Sequence, residues 1–170
     1  ANAVWDGTSA VMLSGETAGG QFPLQAVQTM DRILRGAEAV TDTPPTLPEI
    51  SNQTLEIVAG SVRLSEHTKA PCIAIFCHTM EIARQIAGFH GSTHVIAACF
   101  DELIYRQVSL FYGIIPVRLP RTNSIDEAIT RVLDEIQARD LAEPGNRIVF
   151  LYSQPFGTRL HNTIRLVQMP

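Results

Sequence analysis

Ser14 and Glu16 stand two positions apart in the run Asp6-Gly7-Thr8-Ser9-Ala10-Val11-Met12-Leu13-Ser14-Gly15-Glu16-Thr17-Ala18-Gly19-Gly20-Gln21-Phe22-Pro23. A hydroxyl and a carboxylate just past a short apolar segment are chemistry-bearing groups in a telling place, because parallel α/β folds gather ligands at the carboxyl ends of their strands. The pattern predicts a buried strand over residues 10–13, a tight turn, a glycine-rich loop and a helix entered at Phe22-Pro23, which together make one βα unit. Gly15 permits a sharp turn, and Gly19-Gly20 removes side chains where a backbone comes close to a ligand. Two readings of Ser14 and Glu16 follow from spacing: they support a ligand site, or they cap the next turn with the glycines serving geometry.

The other candidates are weaker. His67, His78, His90, His94 and His161 are scattered without metal-ligand spacing and read as surface or loop residues. Cys77 beside His78 offers a nucleophile and a base, but neighbouring side chains at a strand end point apart. Cys72, Cys77 and Cys99 contain no CxxC pair and read as buried thiols of a reducing compartment, which points to the cytoplasm.

The elements that must position these groups alternate in type. A helix after Pro23 puts Leu24, Val27, Ile33, Leu34 and Ala37 on one face. Three prolines in residues 41–48 then end it, and the domain boundary falls there: 1–40 is one unit, 41–50 a Pro-rich linker and 51–170 a second domain. A helix over 52–67, capped by Ser51 or Asn52, carries Leu55, Val58, Ala59 and Val62 as its stripe. Strand 72–76, helix 79–88, strand 95–99, helix 102–111 and strand 114–117 follow in turn. Ser124-Ile125-Asp126-Glu127 fits a capping box for a helix bearing Ile125, Ala128, Ile129, Val132, Leu133 and Ile136. Strand 147–152 and a final strand over 163–168 close the chain.

This alternation predicts an α/β fold: a three-layer α/β/α domain on a five-stranded, mostly parallel sheet, preceded by a lone strand-helix unit. The last two strands share a short loop, too short for a parallel crossover, so the last strand is antiparallel. The 170 residues are 45% hydrophobic with a formal net charge of -4, which suits a soluble domain with a sizeable core. Thirteen basic and 17 acidic residues without a basic run argue against nucleic acid as a partner. No apolar run approaches the roughly 18 residues of a membrane span, so no membrane partner is expected.

Ala1-Asn2-Ala3-Val4-Trp5-Asp6-Gly7-Thr8, then Val11 to Ala18 and Phe22-Pro23-Leu24-Gln25-Ala26-Val27, closely resembles the segment that closes the catalytic barrel of pyruvate kinase. Leu110-Phe111-Tyr112-Gly113-Ile114-Ile115-Pro116-Val117, Pro144-Gly145-Asn146-Arg147-Ile148-Val149 and His161-Asn162-Thr163-Ile164-Arg165-Leu166-Val167 resemble the C-terminal domain of the same family. The likeness is strong at both ends and weak over 41–71. Trp5 stands where the family commonly has leucine, and is expected to pack against the barrel.

The resemblance implies a fragment of a glycolytic phosphotransferase that moves phosphoryl from phosphoenolpyruvate to ADP, giving pyruvate and ATP with Mg2+ and K+. A complete barrel takes about 250 residues, and the chain starts at Ala1 without Met, so a piece of the enzyme is expected. The family's catalytic lysine and metal ligands lie on earlier barrel strands, so no catalytic or metal residue is expected here and the fragment alone should be inactive. Ser14 and Glu16 match supporting positions at the barrel mouth. The family also implies a homotetramer to which this domain contributes a contact.

In many members the C-terminal domain binds a phosphorylated effector in a hydroxyl-rich turn opening onto a helix. Here the matching run is Cys77-His78-Thr79-Met80-Glu81-Ile82, in which Thr79 alone keeps a hydroxyl and Glu81 would repel a phosphate. The partner loop over 153–161 keeps Gly157 and offers Arg159 as an anion contact. Thr79 therefore reads either as a helix cap or as an effector contact with Gly157 and Arg159. A second functional class also stands: a stand-alone α/β module that binds a small phosphorylated ligand or a protein partner without catalysis.

Overall fold

In the computed structural model, which describes residues 1–40, 53–89 and 93–170, the chain falls into two units, Ala1–Pro44 and Pro45–Pro170. The first unit holds α1 (Asn2–Trp5), α2 (Gly15–Ala18) and α3 (Pro23–Ala39). Proline at the first turn starts α3, where its missing N–H costs no helical hydrogen bond. The strand expected over 10–13 does not form. All five strands lie in the second unit, and a segment with no ladder neighbour cannot satisfy its backbone as a strand.

The expected face of α3 also needs correction. Ala37 is buried and Leu34 half-buried, but Leu24, Val27 and Ile33 are exposed, together with Trp5, Met12 and Phe22. The side turned inward runs instead through Ala26, Met30, Leu34 and Ala37, a spacing that follows the helical repeat more closely. Trp5 reaches this helix by donating its indole N–H to the Ala37 carbonyl at 3.2 Å.

The second unit is built on α4 (Gln53–Thr68), β1 (Cys72–Cys77), α5 (Glu81–Ala87), β2 (His94–Cys99), α6 (Glu102–Val108), β3 (Ile114–Arg118), α7 (Ile125–Ala138), β4 (Arg147–Tyr152) and β5 (Thr163–Gln168). The strands form one sheet in the order β3-β2-β1-β4-β5. β1 runs parallel to β2 and β4, β2 runs parallel to β3, and β5 alone is antiparallel, on β4. The expected fold class is what the backbone adopts. The N-cap expected at Ser51 or Asn52 falls outside the described residues.

Side chains alternate across β1 and so divide the core in two. Ile73, Ile75 and Cys77 face Val58, Val62, Ile82, Ile86 and Val108 of α4, α5 and α6. Ala74 and Phe76 face the other way, with Ile96 and Phe150, onto Ala128, Ile129, Val132 and Ile136 of α7. Burial on both faces explains why these strands are continuously apolar in sequence. Each fully buried Phe or Ile contributes about 1.5–3 kcal/mol by leaving water.

The capping box of α7 forms in a modified way. Ser124 Oγ accepts the Glu127 N–H at 3.3 Å, as expected. The Ser124 N–H donates to Thr122 Oγ1 at 3.1 Å rather than to Glu127, whose carboxylate takes the Thr122 hydroxyl and Arg131. Elsewhere the expected helices are trimmed: α5 begins at Glu81 and α6 ends at Val108.

Candidate functional site

In the first unit, Ser14 occupies the N-cap of α2 but makes no side-chain cap bond. The capping group is Glu16, whose Oε2 accepts the Ser14 N–H at 3.0 Å. Its own N–H and that of Ser14 hold the Glu16 carboxyl below the usual range. Both side chains are exposed. Gly20 is required because a Cβ there would collide with the Glu16 carbonyl, whereas nothing crowds Gly19. Gly20 thus serves a close approach of the chain to itself. Beside it, Leu13, Phe22, Ala26, Met30 and Ile33 line an open apolar groove of about 500 Å³.

In the second unit, β1 delivers Cys77, His78 and Thr79 to the carboxyl end of the sheet. Thr79 is half-buried and is not the helix cap. Met80 holds that position and makes no side-chain cap bond, because α5 starts one residue later than the hydroxyl needs. Glu81 opens the helix, accepting Arg84 at 2.7 Å and Gln85 at 2.8 Å. Those hydrogen bonds, the one from Arg84 foremost, lower its carboxyl's pKa, so a negative charge already occupies the turn where an anion would sit.

The loop over 153–161 crosses this end of β1. Gly157 takes φ +90°, which a side chain would resist, and its role is the turn itself. Arg159 is exposed. Next to Gly157, Phe156 packs edge-on against Phe76, His78 and Phe100 at centroid distances of 5.3, 5.9 and 6.1 Å. His78 in turn lies flat on Phe100 at 5.3 Å. Aromatic rings therefore fill the space between the two loops that carry Thr79 and Arg159.

These rings are the residues that sequence reasoning missed. His78, Phe100 and Phe156 come from three separate loops and share no periodicity with each other or with Phe76 of β1, so the available signal was local: an aromatic inside a Pro-Gly turn. His161 was expected in a surface loop, yet it is buried, with Nε2–H donating to the Phe76 carbonyl at 2.9 Å. A carbonyl can only accept, so this nitrogen carries the proton. His67 and His94 are exposed as expected, and His90 lies outside the described residues.

Cys77 and His78 do point apart, the thiol into the α4–α5 layer and the ring onto Phe100. Cys72, Cys77 and Cys99 are all free and buried. Among the described residues no cluster of three or more His, Cys, Asp or Glu side chains is placed to hold a metal ion. Among the same residues no helix is long and apolar enough to cross a membrane.

Comparison with known proteins agrees with this geometry. Residues 55–167 match the family described as pyruvate kinase, alpha/beta domain, and residues 1–27 match pyruvate kinase, barrel domain. Pyruvate kinase of Clostridium perfringens is 34% identical over 87% of this chain and 33% of its own length. That of Lactococcus lactis is 31% identical over 97% of this chain and 34% of its own. A solved pyruvate kinase from Cryptosporidium parvum superposes on 99% of the chain with TM-score 0.87 at 27% identity, and the chain covers 34% of it. The chain thus spans about a third of the length of the relatives it matches. With one family match running through the sheet over residues 55–167 and the other over residues 1–27 before it, the chain belongs to the pyruvate kinase family.

Proposed function

We propose that this chain is the C-terminal part of a pyruvate kinase that transfers phosphoryl from phosphoenolpyruvate to ADP in the cytoplasm. The observation that carries the reading is the order of the two matches, barrel segment first and α/β domain second, along one chain. Residues 1–40 would complete the barrel, with Ser14 and Glu16 fixing the turn at its mouth. The exposed apolar side chains Met12, Phe22, Leu24, Val27 and Ile33 would then meet the rest of it. The remainder would form the regulatory and subunit-contact domain of a homotetramer.

Phosphoryl transfer depends on metal-assisted charge neutralisation and positioning. Mg2+, K+ and the catalytic lysine would be held by the barrel strands outside this chain, so the chain by itself should be inactive.

A phosphorylated effector is disfavoured at the loops carrying Thr79, Gly157 and Arg159. Glu81 supplies a like charge, and Phe156 packs against His78, beside the Thr79 loop. Gly157 then serves the turn, and Arg159 faces solvent.

Pyruvate formation from phosphoenolpyruvate and ADP, with Mg2+ and K+ present, tests the proposal. The 170-residue chain should form none, while protein expressed from the coding region together with its upstream sequence should form it. A start codon directly before Ala1 and no activity in either preparation would favour the stand-alone binding module.

A further inference from the structure

The segment over 153–161 is a strap whose two ends are clamped by one side chain. Asn162 Oδ1 accepts the Gln154 N–H at 2.8 Å, its Nδ2 donates to the Gln154 carbonyl at 2.8 Å, and its own N–H donates to the Tyr152 carbonyl at 3.1 Å. Past the clamp, two rings bind the strap to the end of β1. Phe156 stands edge-on to Phe76, His78 and Phe100, and His161 donates to the Phe76 carbonyl. Beneath Phe156, His78 Nε2 is buried without a hydrogen-bond partner among the described residues, as is Ser153 Oγ.

We propose that the strap is a proton-released latch: with His78 neutral it closes over the carboxyl end of β1, and a proton taken up by His78 opens it. A charge on His78 under the closed strap finds no acceptor at Nε2 and loses water. The titratable and charged groups that bear on it are His161 of the strap and Arg121 of the loop after β3, and a proton on either opposes a cation at His78.

The nearby carboxylates are committed elsewhere. Glu81 of α5 holds Arg84 and Gln85, and Asp101 before α6 accepts the Leu103 and Ile104 N–H groups. The stack on Phe100 favours a cation equally in both states, because neither ring belongs to the strap. The differential therefore lies in the strap contacts, and it favours opening.

Burial first, then His161 and Arg121, hold His78 below the ordinary imidazole range, and burial does the same to His161. The sign follows from linkage. The open state binds protons near the ordinary value of about 6.5 and the closed state binds them at lower pH, so closure is undiminished above about 6.5 and weakens as pH falls below it. Release uncovers the carboxyl end of the parallel sheet, the place where α/β folds take ligands.

Hydrogen exchange of the 170-residue chain between about pH 5 and about pH 7.5, corrected for intrinsic rates, tests the latch. Protection of 153–161 should fall about tenfold toward the acid end while β1 holds steady. His78→Phe keeps a ring on Phe100 and removes the His78 titration, so its strap should keep only the smaller pH dependence that the buried His161 contributes. Proton NMR of the His78 ring provides the second readout: in Phe156→Ala its titration should rise toward the ordinary value. Constant protection in the native chain, unchanged pH dependence in His78→Phe, or the same His78 titration with and without Phe156 would each overturn the proposal.

Discussion

His161 takes over from the sheet at the point where β4 leaves it: its Nε2–H donates at 2.9 Å to the carbonyl of Phe76, 85 positions away. The pairing of β1 with β4 ends at Ile75 and Leu151, one residue short of this carbonyl. The imidazole thus stands in for a ladder partner in a place where water has no access. Replacing it by a ring that cannot donate leaves a buried acceptor unsatisfied. His161→Phe should cost about 1–3 kcal/mol, read as a lower urea midpoint at pH above about 7 with unchanged slope. A midpoint equal to the native one would show that the bond contributes nothing.

The start of α7 should behave as a three-residue unit. Ser124 Oγ receives the Glu127 N–H, and Thr122 links the Ser124 N–H to the Glu127 carboxylate. Ser124→Ala is expected to cost about 0.5–2 kcal/mol. Thr122→Val should cost less, and the double variant should lose less than the sum because both act through Glu127. Strict additivity in urea titrations would separate the two contacts.

What the sequence makes legible here is whatever local pattern determines. The continuous apolar run at 72–77 and the Ser124/Glu127 spacing define β1 and the entry to α7 without knowledge of any neighbour. Residues 10–13 fail as a strand for the opposite reason, since a strand exists only with a partner to pair with. Leu24, Val27 and Ile33 mislead because an apolar side chain marks a surface that something can cover, which is not always a surface covered within the same unit. Thr79 misses its cap by one residue, a margin below what composition can resolve. The Phe156, His78 and Phe100 cluster joins three loops by tertiary placement alone.

Two glycines should respond oppositely to alanine. Gly157 sits at φ +90°, where a Cβ is strained even though space is open, so Gly157→Ala should cost about 1–2 kcal/mol and loosen the strap. Gly36 lies exposed within α3 with nothing near its missing Cβ. Gly36→Ala should therefore raise helix stability by about 0.5–1 kcal/mol. Thermal unfolding of the two variants beside the native chain checks both signs at once.

The three thiols should be silent in the native protein. Cys77 and Cys99 are register partners on adjacent parallel strands, and neither is exposed. The Cys99 thiol beside it and burial together push the Cys77 thiol well up from its ordinary value. Burial pushes Cys72 up to about 11. Disulfide reagents attack the thiolate, and at pH about 8 Cys72 would hold only about one part in a thousand in that form. An aromatic disulfide reagent should therefore release no chromophore from the folded chain and report all three cysteines once urea unfolds it. Labelling that accelerates only with the global transition would mean that the sheet opens as one body. Prompt reaction of any single thiol without denaturant would instead put a strand end in contact with solvent and contradict the packing around β1.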